Sequence, residues 1–191
     1  MDQLHIINTQ QNMQMLDEIY KLRHQSFNER LGWEVKSVNG REFDQFDHSG
    51  TQYVALTDHN EELLGCWRAL PTQGDYMLKN VFPELLQGEV LPQKDDIWEI
   101  SRFTVNTQNG KNRNQLVSAL CAKLVKSFYD FALENNIRSY VAVTTVACER
   151  MLKNLGVTIR RLGDGQALQI GIEKTVAVAI DVNESLNIRI A

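Results

Sequence analysis

Five groups of residues have types suited to chemistry: Arg23 with Phe27; Trp33; the acidic and aromatic run Glu42-Phe43-Asp44-Gln45-Phe46-Asp47; Arg68; and Trp98-Glu99-Ile100-Ser101-Arg102-Phe103. Guanidinium and carboxylate groups hold charged ligands, or one another, through charge-assisted hydrogen bonds. Arg68 lies inside an apolar run, and Glu99 and Arg102 lie in a stretch with strand character. Strand alternation would put Trp98, Ile100 and Arg102 on one face and Glu99, Ser101 and Phe103 on the other. Charges in such strands are costly unless they are paired or face a cleft. Structural pairs such as Arg68 with Glu99, or Arg102 with Asp44, meet that demand as well as a ligand cleft does, and the sequence leaves the two open.

The elements that must position these groups follow from periodicity. Over residues 13–27, Met13, Leu16, Ile19, Tyr20, Leu22 and Phe27 recur at roughly helical spacing, with Asp17 and Glu18 in the early turns, which predicts one amphipathic helix. Residues 28–50 are polar and carry Gly32 and Gly40, yet hold Trp33, Phe43 and Phe46, so they read as a functional loop or lid. Residues 52–57 and 62–70 form an expected hairpin about Asp58-His59-Asn60, with Pro71 ending its second strand. A strand at 98–105 precedes a helix at 115–133 that stops near Asn135-Asn136. A β-branched strand at 140–146, a short helix at 148–155 closed by Gly156, and a strand or strand pair at 167–182 complete the pattern. Together these predict a single α/β domain, a mixed sheet flanked by helices.

Composition limits the function classes. The 191 residues are 43% hydrophobic and carry a formal net charge of -4, so one compact domain and no nucleic-acid partner are expected. Cys66, Cys121 and Cys148 lack any C-x-x-C spacing, which argues against a disulfide framework and a zinc site and suits a reducing cytoplasm. They read as buried small hydrophobes, and none of His5, His24, His48 and His59 has a compelling catalytic neighbour. No apolar stretch approaches the ~20 residues of a membrane span, and the polar, acidic start is not a secretory signal.

The order and spacing of the charged groups resemble the acyl-homoserine lactone synthase (autoinducer synthase) family over essentially the whole chain. The matching pieces are Leu22-Arg23 with Phe27, Glu29-Arg30-Leu31-Gly32-Trp33, Asp44-Gln45-Phe46-Asp47, Gly65-Cys66-Trp67-Arg68, Val81-Phe82-Pro83-Glu84-Leu85-Leu86, and Ile97-Trp98-Glu99-Ile100-Ser101-Arg102-Phe103. Tyr76-Met77-Leu78-Lys79-Asn80 and Val143-Thr144-Thr145-Val146 look like the long-chain branch of pseudomonads and their relatives. The resemblance implies an N-acetyltransferase-like α-β-α sandwich, with a mixed, mostly antiparallel sheet flanked by helices, forming one synthase domain over residues 1–191. Within it, residues 1–50 would hold the helix and substrate-binding loop, and 51–191 the sheet core and the acyl and carrier-protein side.

The family's reaction implies two substrates and no cofactor or metal. Acyl carrier protein brings a thioester, and S-adenosylmethionine brings an amine that takes the acyl group before its carboxylate displaces methylthioadenosine. The sulfonium is a cation, for which Phe27, Trp33 and Phe82 with Asp44 or Asp47 are suitable partners. Core packing is the competing reading for Phe27 and Phe82. Arg23, Arg68 and Arg102 are candidates for the substrate carboxylate or for orienting the two aspartates. The α-amine must lose a proton before it attacks, and Glu99 is the expected general base, directly or through a water, with burial beside the cleft raising its pKa. Ser101 would position water or the acyl chain. Ring closure is intramolecular and needs geometry more than another catalytic group.

The acyl pocket is expected at Trp67, Ala142, Thr144 and Thr145. Many family members that favour a 3-oxo acyl group carry threonine where this chain places Ala142, so a 3-hydroxy or unsubstituted chain of medium to long length is expected. The stretch Asn109-Gly110-Lys111-Asn112-Arg113 has a single glycine, which disfavours the pyrophosphate of coenzyme A. Arg150 and Lys153, with Arg160, Arg161 and Lys174, would form a basic patch for the acidic carrier protein, against the alternative of a solvated charged face. Two other functions fit the same residues: an acyl-coenzyme A-dependent N-acyltransferase acting on another amine, and a non-catalytic sensor of S-adenosylmethionine or an acyl chain, which has no use for Glu99.

Overall fold

The computed structural model describes residues 2–107 and 113–188, and the Asn109 to Asn112 stretch of the donor argument lies outside them. The chain forms two compact units, one of Met1–Ala69 with Arg102–Leu124, the other of Leu70–Ser101 with Val125–Ala191.

In the first unit, β1 (Gln3–Asn8) leads to α1 (Met13–Arg23). Asn12 caps α1: it takes left-handed backbone angles, and its side chain accepts from the Met15 N–H at 3.1 Å. Leu16, Ile19 and Leu22 are buried with Ile7, Tyr53 and Cys66, so the expected helical stripe is the face that packs on the sheet. Beyond Arg23 the chain widens into a π-helical turn, His24–Arg30. The expected lid contains a small hairpin, β2 (Ser37–Val38) and β3 (Arg41–Glu42). Its two turn residues, Asn39 and Gly40, both have positive φ, the geometry that Asn-Gly supplies to tight hairpins.

The predicted larger hairpin is β4 (Gln52–Thr57) and β5 (Leu63–Pro71), antiparallel, with β1 antiparallel to β4 on its other side. Gly65 on β5 is a point of close approach. A Cβ there would sit 2.7 Å from Leu124 Cδ1 and 2.8 Å from the Thr104 carbonyl oxygen. Gly65→Ala is therefore expected to cost about 1–3 kcal/mol of stability through overpacking, read from the urea midpoint at constant m value.

In the second unit, β6 (Ile97–Val105, shared at its far end with the first) is parallel to β7 (Ser139–Thr145). β7 is antiparallel to β10 (Glu173–Asp181), which also pairs with β8 (Ile159–Arg161) and β9 (Leu168–Ile170). The single turn α2 (Met77–Asn80) and a 3-10 turn, Pro83–Leu86, connect β5 to β6. α3 (Arg113–Glu134) runs through both units, and in the second it buries Phe128 and Phe131. Phe131 meets Trp98 edge-on at 5.8 Å, and the Phe128 carbonyl accepts from the Tyr140 hydroxyl at 2.8 Å. α4 (Val146–Asn154) follows β7 directly.

Hydrogen bonding orders the strands β1-β4-β5-β6-β7-β10-β8. The expected mixed, mostly antiparallel sheet with flanking helices is thus borne out. β1 and β8 were not expected: the first is an edge strand in a polar stretch and the second has only three residues, too short for a periodic signal. No helix of the described residues is long and apolar enough to cross a membrane.

Candidate active site

Arg23 closes α1 and is fully buried. Its guanidinium bonds Asp47 with both Nη atoms, at 2.8 and 2.9 Å, and Glu42 with Nε at 2.5 Å. Arg68, also fully buried, reaches Asp44 at 2.6 Å and Asp47 at 2.9 Å. Arg102 reaches Glu42 at 3.0 Å and Asp44 at 2.7 Å. Through these hydrogen bonds the six residues link in the closed order Arg23, Asp47, Arg68, Asp44, Arg102, Glu42, and Arg23 and Asp44 also approach across it at 4.0 Å. Six charges alternate in sign around this ring and cancel.

Local structure explains how five segments supply it. The Asn39-Gly40 turn sets Glu42 on β3. Asp44 and Asp47 sit on one tight turn, held by the Asp47 N–H donating to the Asp44 carbonyl at 3.1 Å and the Asp44 N–H donating to Asp47 Oδ2 at 2.7 Å. Tyr53 and Arg68 are cross-strand partners on β4 and β5, and the Tyr53 hydroxyl donates to Asp47 at 2.5 Å. Arg102 has φ +54° inside β6, which interrupts the simple two-residue alternation expected for that strand.

Burial opposes the charges in the ring, and mutual attraction outweighs it at Asp47 and Arg23 but not at Arg102. Burial alone would raise the Asp47 pKa, yet Arg23 and Arg68 hold it well below the usual carboxylate range. Burial works against Arg23 too, but Asp47 and Glu42 lift its pKa far above the ordinary guanidinium value. At Arg102 burial wins and the pKa falls. The ring is not equally enclosed: the Asp44 and Arg102 side chains keep 13% and 11% exposure, whereas those of Arg23, Arg68, Glu42 and Asp47 keep 0–2%. Its open side is the Asp44–Arg102 edge.

Aromatic residues line the same unit. The Arg102 guanidinium lies 5.6 Å from the Phe27 ring centre, and Trp33 stacks on Phe27 at 5.2 Å with an interplanar angle of 11°. Trp33 Nε1 is buried without a hydrogen-bond partner among the described residues. Trp67, beside Arg68 on β5, is fully buried and alternates to the other face of that strand.

The remaining expected residues belong to the second unit. Glu99 is fully buried; its two carboxylate oxygens accept the Met77 and Leu78 N–H groups, each at 2.8 Å. The Arg68 guanidinium goes to Asp44 and Asp47 on the nearby turn, and the Arg102–Asp44 pair, one of those the sequence left open, is present. Ser101 is 9% exposed, and Phe82 is half-buried just before the 3-10 turn. Ala142 and Thr144 share one face of β7, but Thr145 lies on the other, and its hydroxyl accepts from the Cys148 N–H as the cap of α4.

The basic patch is less basic than its sequence suggests. Lys153 and Arg161 both pair with Glu149 at 2.7 Å, and Arg160 pairs with Glu89 at 2.8 Å, whereas Arg150 is exposed. The cysteines are free, and burial pushes the Cys66 thiol up to about 12, leaving it unreactive. A cavity of about 260 Å³ in the second unit, lined by Arg138, Val141, Ile159 and Arg160 among others, includes none of the six ring residues.

The autoinducer synthase family model matches residues 7–190. An acyl-homoserine-lactone synthase of Aliivibrio fischeri is 41% identical over 166 residues, 87% of this chain and 86% of that one. The chain belongs to the autoinducer synthase family. The resemblance read from the charged residues is confirmed, and with it the acyltransferase class of the enzyme. The crystal structure of the acyl-homoserine lactone synthase LasI superposes with a TM-score of 0.85 at 36% identity, covering 96% of this synthase and 91% of that chain. A coenzyme A-dependent acyl-homoserine lactone synthase, BjaI, solved with S-adenosylmethionine and isopentyl-coenzyme A, gives 0.86 at 25% identity, covering 98% and 86%.

One residue of the synthase's ring, Glu42, and Tyr53 beside it lie outside the expected site. Asn39-Gly40, just before Glu42, is the signal of a tight hairpin that fixes its position. Tyr53 carried no signal, because its contact with Asp47 depends on strand register.

Proposed function

We propose that this synthase binds S-adenosylmethionine at the open edge of the charged ring and acylates it from acyl carrier protein. The observation that carries the reading is the ring itself. Six charges whose burial costs several kcal/mol per ion are gathered beside stacked aromatics and left accessible only at one carboxylate and one guanidinium. S-adenosylmethionine carries the complementary pair. Its sulfonium suits Asp44 and the aromatic faces of Phe27, Trp33 and Phe82, and its carboxylate suits Arg102. The unpaired Trp33 Nε1–H is a further donor for an anionic or carbonyl group. Arg23, Arg68, Asp47 and Glu42 hold the edge in place.

Glu99 takes the proton from the substrate ammonium, and Ser101 orients water or the acyl group. The freed amine attacks the thioester carbon, the carrier's thiol leaves, and the substrate carboxylate then closes on the γ-carbon and expels methylthioadenosine. Holding the carboxylate and γ-carbon together supplies much of the second barrier. Trp67, Ala142, Thr144 and Thr145 shape the acyl side, and alanine at 142 favours 3-hydroxy or unsubstituted chains of medium to long length. With free thiols and substrates of central metabolism, the cytoplasm is its proposed place of work.

Arg150 and Lys153 on α4 give the carrier protein its first contact. Reversing both charges is expected to raise the apparent KM for acyl carrier protein about tenfold at low salt, with the KM for S-adenosylmethionine unchanged; an unchanged carrier KM removes the patch. Coenzyme A is the competing donor, because BjaI is coenzyme A-dependent. Matched acyl groups on acyl carrier protein and on coenzyme A, assayed side by side, decide between them. A higher kcat/KM with the carrier protein supports the proposal, and a higher value with coenzyme A overturns its donor.

A further inference from the structure

The stretch between β5 and β6 is fastened at both ends within the second unit. At its start, the Met77 and Leu78 N–H groups donate to the two oxygens of Glu99, each at 2.8 Å. Tyr76, fully buried, donates its hydroxyl to the Pro92 carbonyl. At its end, Glu89 accepts from Arg160 at 2.8 Å and from the Gly163 N–H at 2.7 Å, while Gln87 accepts from the Asp164 N–H at 3.1 Å. Gly163 comes so near that a Cβ on it would lie 2.7 Å from the Leu86 carbonyl oxygen. Between these ends Leu78 and Leu85 are buried, and the segment packs on β7 and β10. It is a strap, and one half of its fastening is the carboxylate of Glu99.

We infer that Glu99 is a positioning residue for the acyl donor as well as a base, because it fixes the Met77–Leu78 main chain along the path of the acyl group. The inference rests on the acyl-transfer reading above. A base acts within about 3 Å of the proton it removes, and the thioester carbon must come within about 3–3.5 Å of the amine that loses it. Main chain already bonded to the same carboxylate therefore borders the reacting carbonyl and the first atoms of the acyl chain. Two N–H groups hold the carboxylate in one rotamer, and the carboxylate holds the strap in one place.

Met77→Pro separates the two roles. Met77 opens α2, the preceding Tyr76 is extended, and proline at a first helical position keeps the backbone while deleting the N–H. Met77→Ala subtracts the share of the side chain. Relative to Met77→Ala, Met77→Pro is expected to raise the KM for acyl donors about tenfold. It is also expected to flatten the preference between short and long acyl chains and to leave the pH profile of kcat intact, because the carboxylate remains. Equal donor KM and equal chain preference in the two variants would overturn the inference.

Amide hydrogen exchange of Met77 and Leu78 in wild type and Glu99→Gln gives a readout that does not depend on Met77→Pro folding. Faster exchange in the variant, by at least tenfold at either amide, supports the latch, and unchanged protection of both refutes it. If the wild type forms no lactone with any donor, the acyl-transfer reading fails, while the exchange experiment still reports on the latch.

Discussion

Asp47→Asn is expected to lower the unfolding free energy of the synthase by about 3–5 kcal/mol at pH 7, because it strands Arg23 and Arg68 in a buried site with one carboxylate fewer. Tyr53 loses its charged acceptor in the same step. Urea denaturation measures this as a fall in midpoint with unchanged m. A change below about 1 kcal/mol would mean that the ring contributes no more than an exposed ion pair. The pH dependence has a defined sign. Asp47 has a folded pKa below its unfolded value, so its contribution is complete above about pH 4 and is lost as pH falls toward the depressed folded value. Wild type should lose stability on acidification through that window, and Asp47→Asn should lose less.

Glu99→Gln is expected to reduce kcat by about 10²–10⁴-fold if the carboxylate takes the amine proton. The acid limb of the pH–rate profile should disappear with it. The two hydrogen bonds that Glu99 accepts add a structural consequence. A glutamine amide offers one acceptor oxygen and one NH₂ group, so either the Met77 or the Leu78 N–H loses its partner, at a cost of about 1–3 kcal/mol. A variant that keeps wild-type turnover would remove Glu99 from the role of base.

What could be read in advance was whatever local periodicity or a single residue type encodes. The α1 stripe of Leu16, Ile19 and Leu22, the β4–β5 hairpin and the β6–α3–β7 succession all follow from spacing, and the arginines and aspartates of the ring announce themselves as charges in costly places. Pairing is another matter. Arg68 meets Asp44 and Asp47 because the 44–47 turn, a feature of backbone hydrogen bonding, sits over β5. Arg102 departs from alternation through one positive φ that its side chain does not encode. Tyr53 joins the ring through register with Arg68, and Thr145 is diverted to a helix cap, both decided by where neighbouring elements begin and end.

The basic patch shows the converse limit. Arg150, Lys153, Arg160 and Arg161 count as positive charges in the sequence, but in the fold three of them pair with Glu149 and Glu89, whose two negative charges offset half of the patch. Asn39-Gly40 is the one legible signal that was passed over, and it fixes the strand carrying Glu42.

The most direct test of the account is calorimetric titration of S-adenosylmethionine into wild type and Asp44→Asn, with the thermal unfolding of both recorded alongside. Asp44 is the ring's most exposed carboxylate and its proposed contact for the sulfonium. The account predicts saturable binding to wild type and at least tenfold weaker binding to a variant that still unfolds cooperatively, a loss of about 1.4 kcal/mol or more. Equal affinity in the two proteins would contradict it.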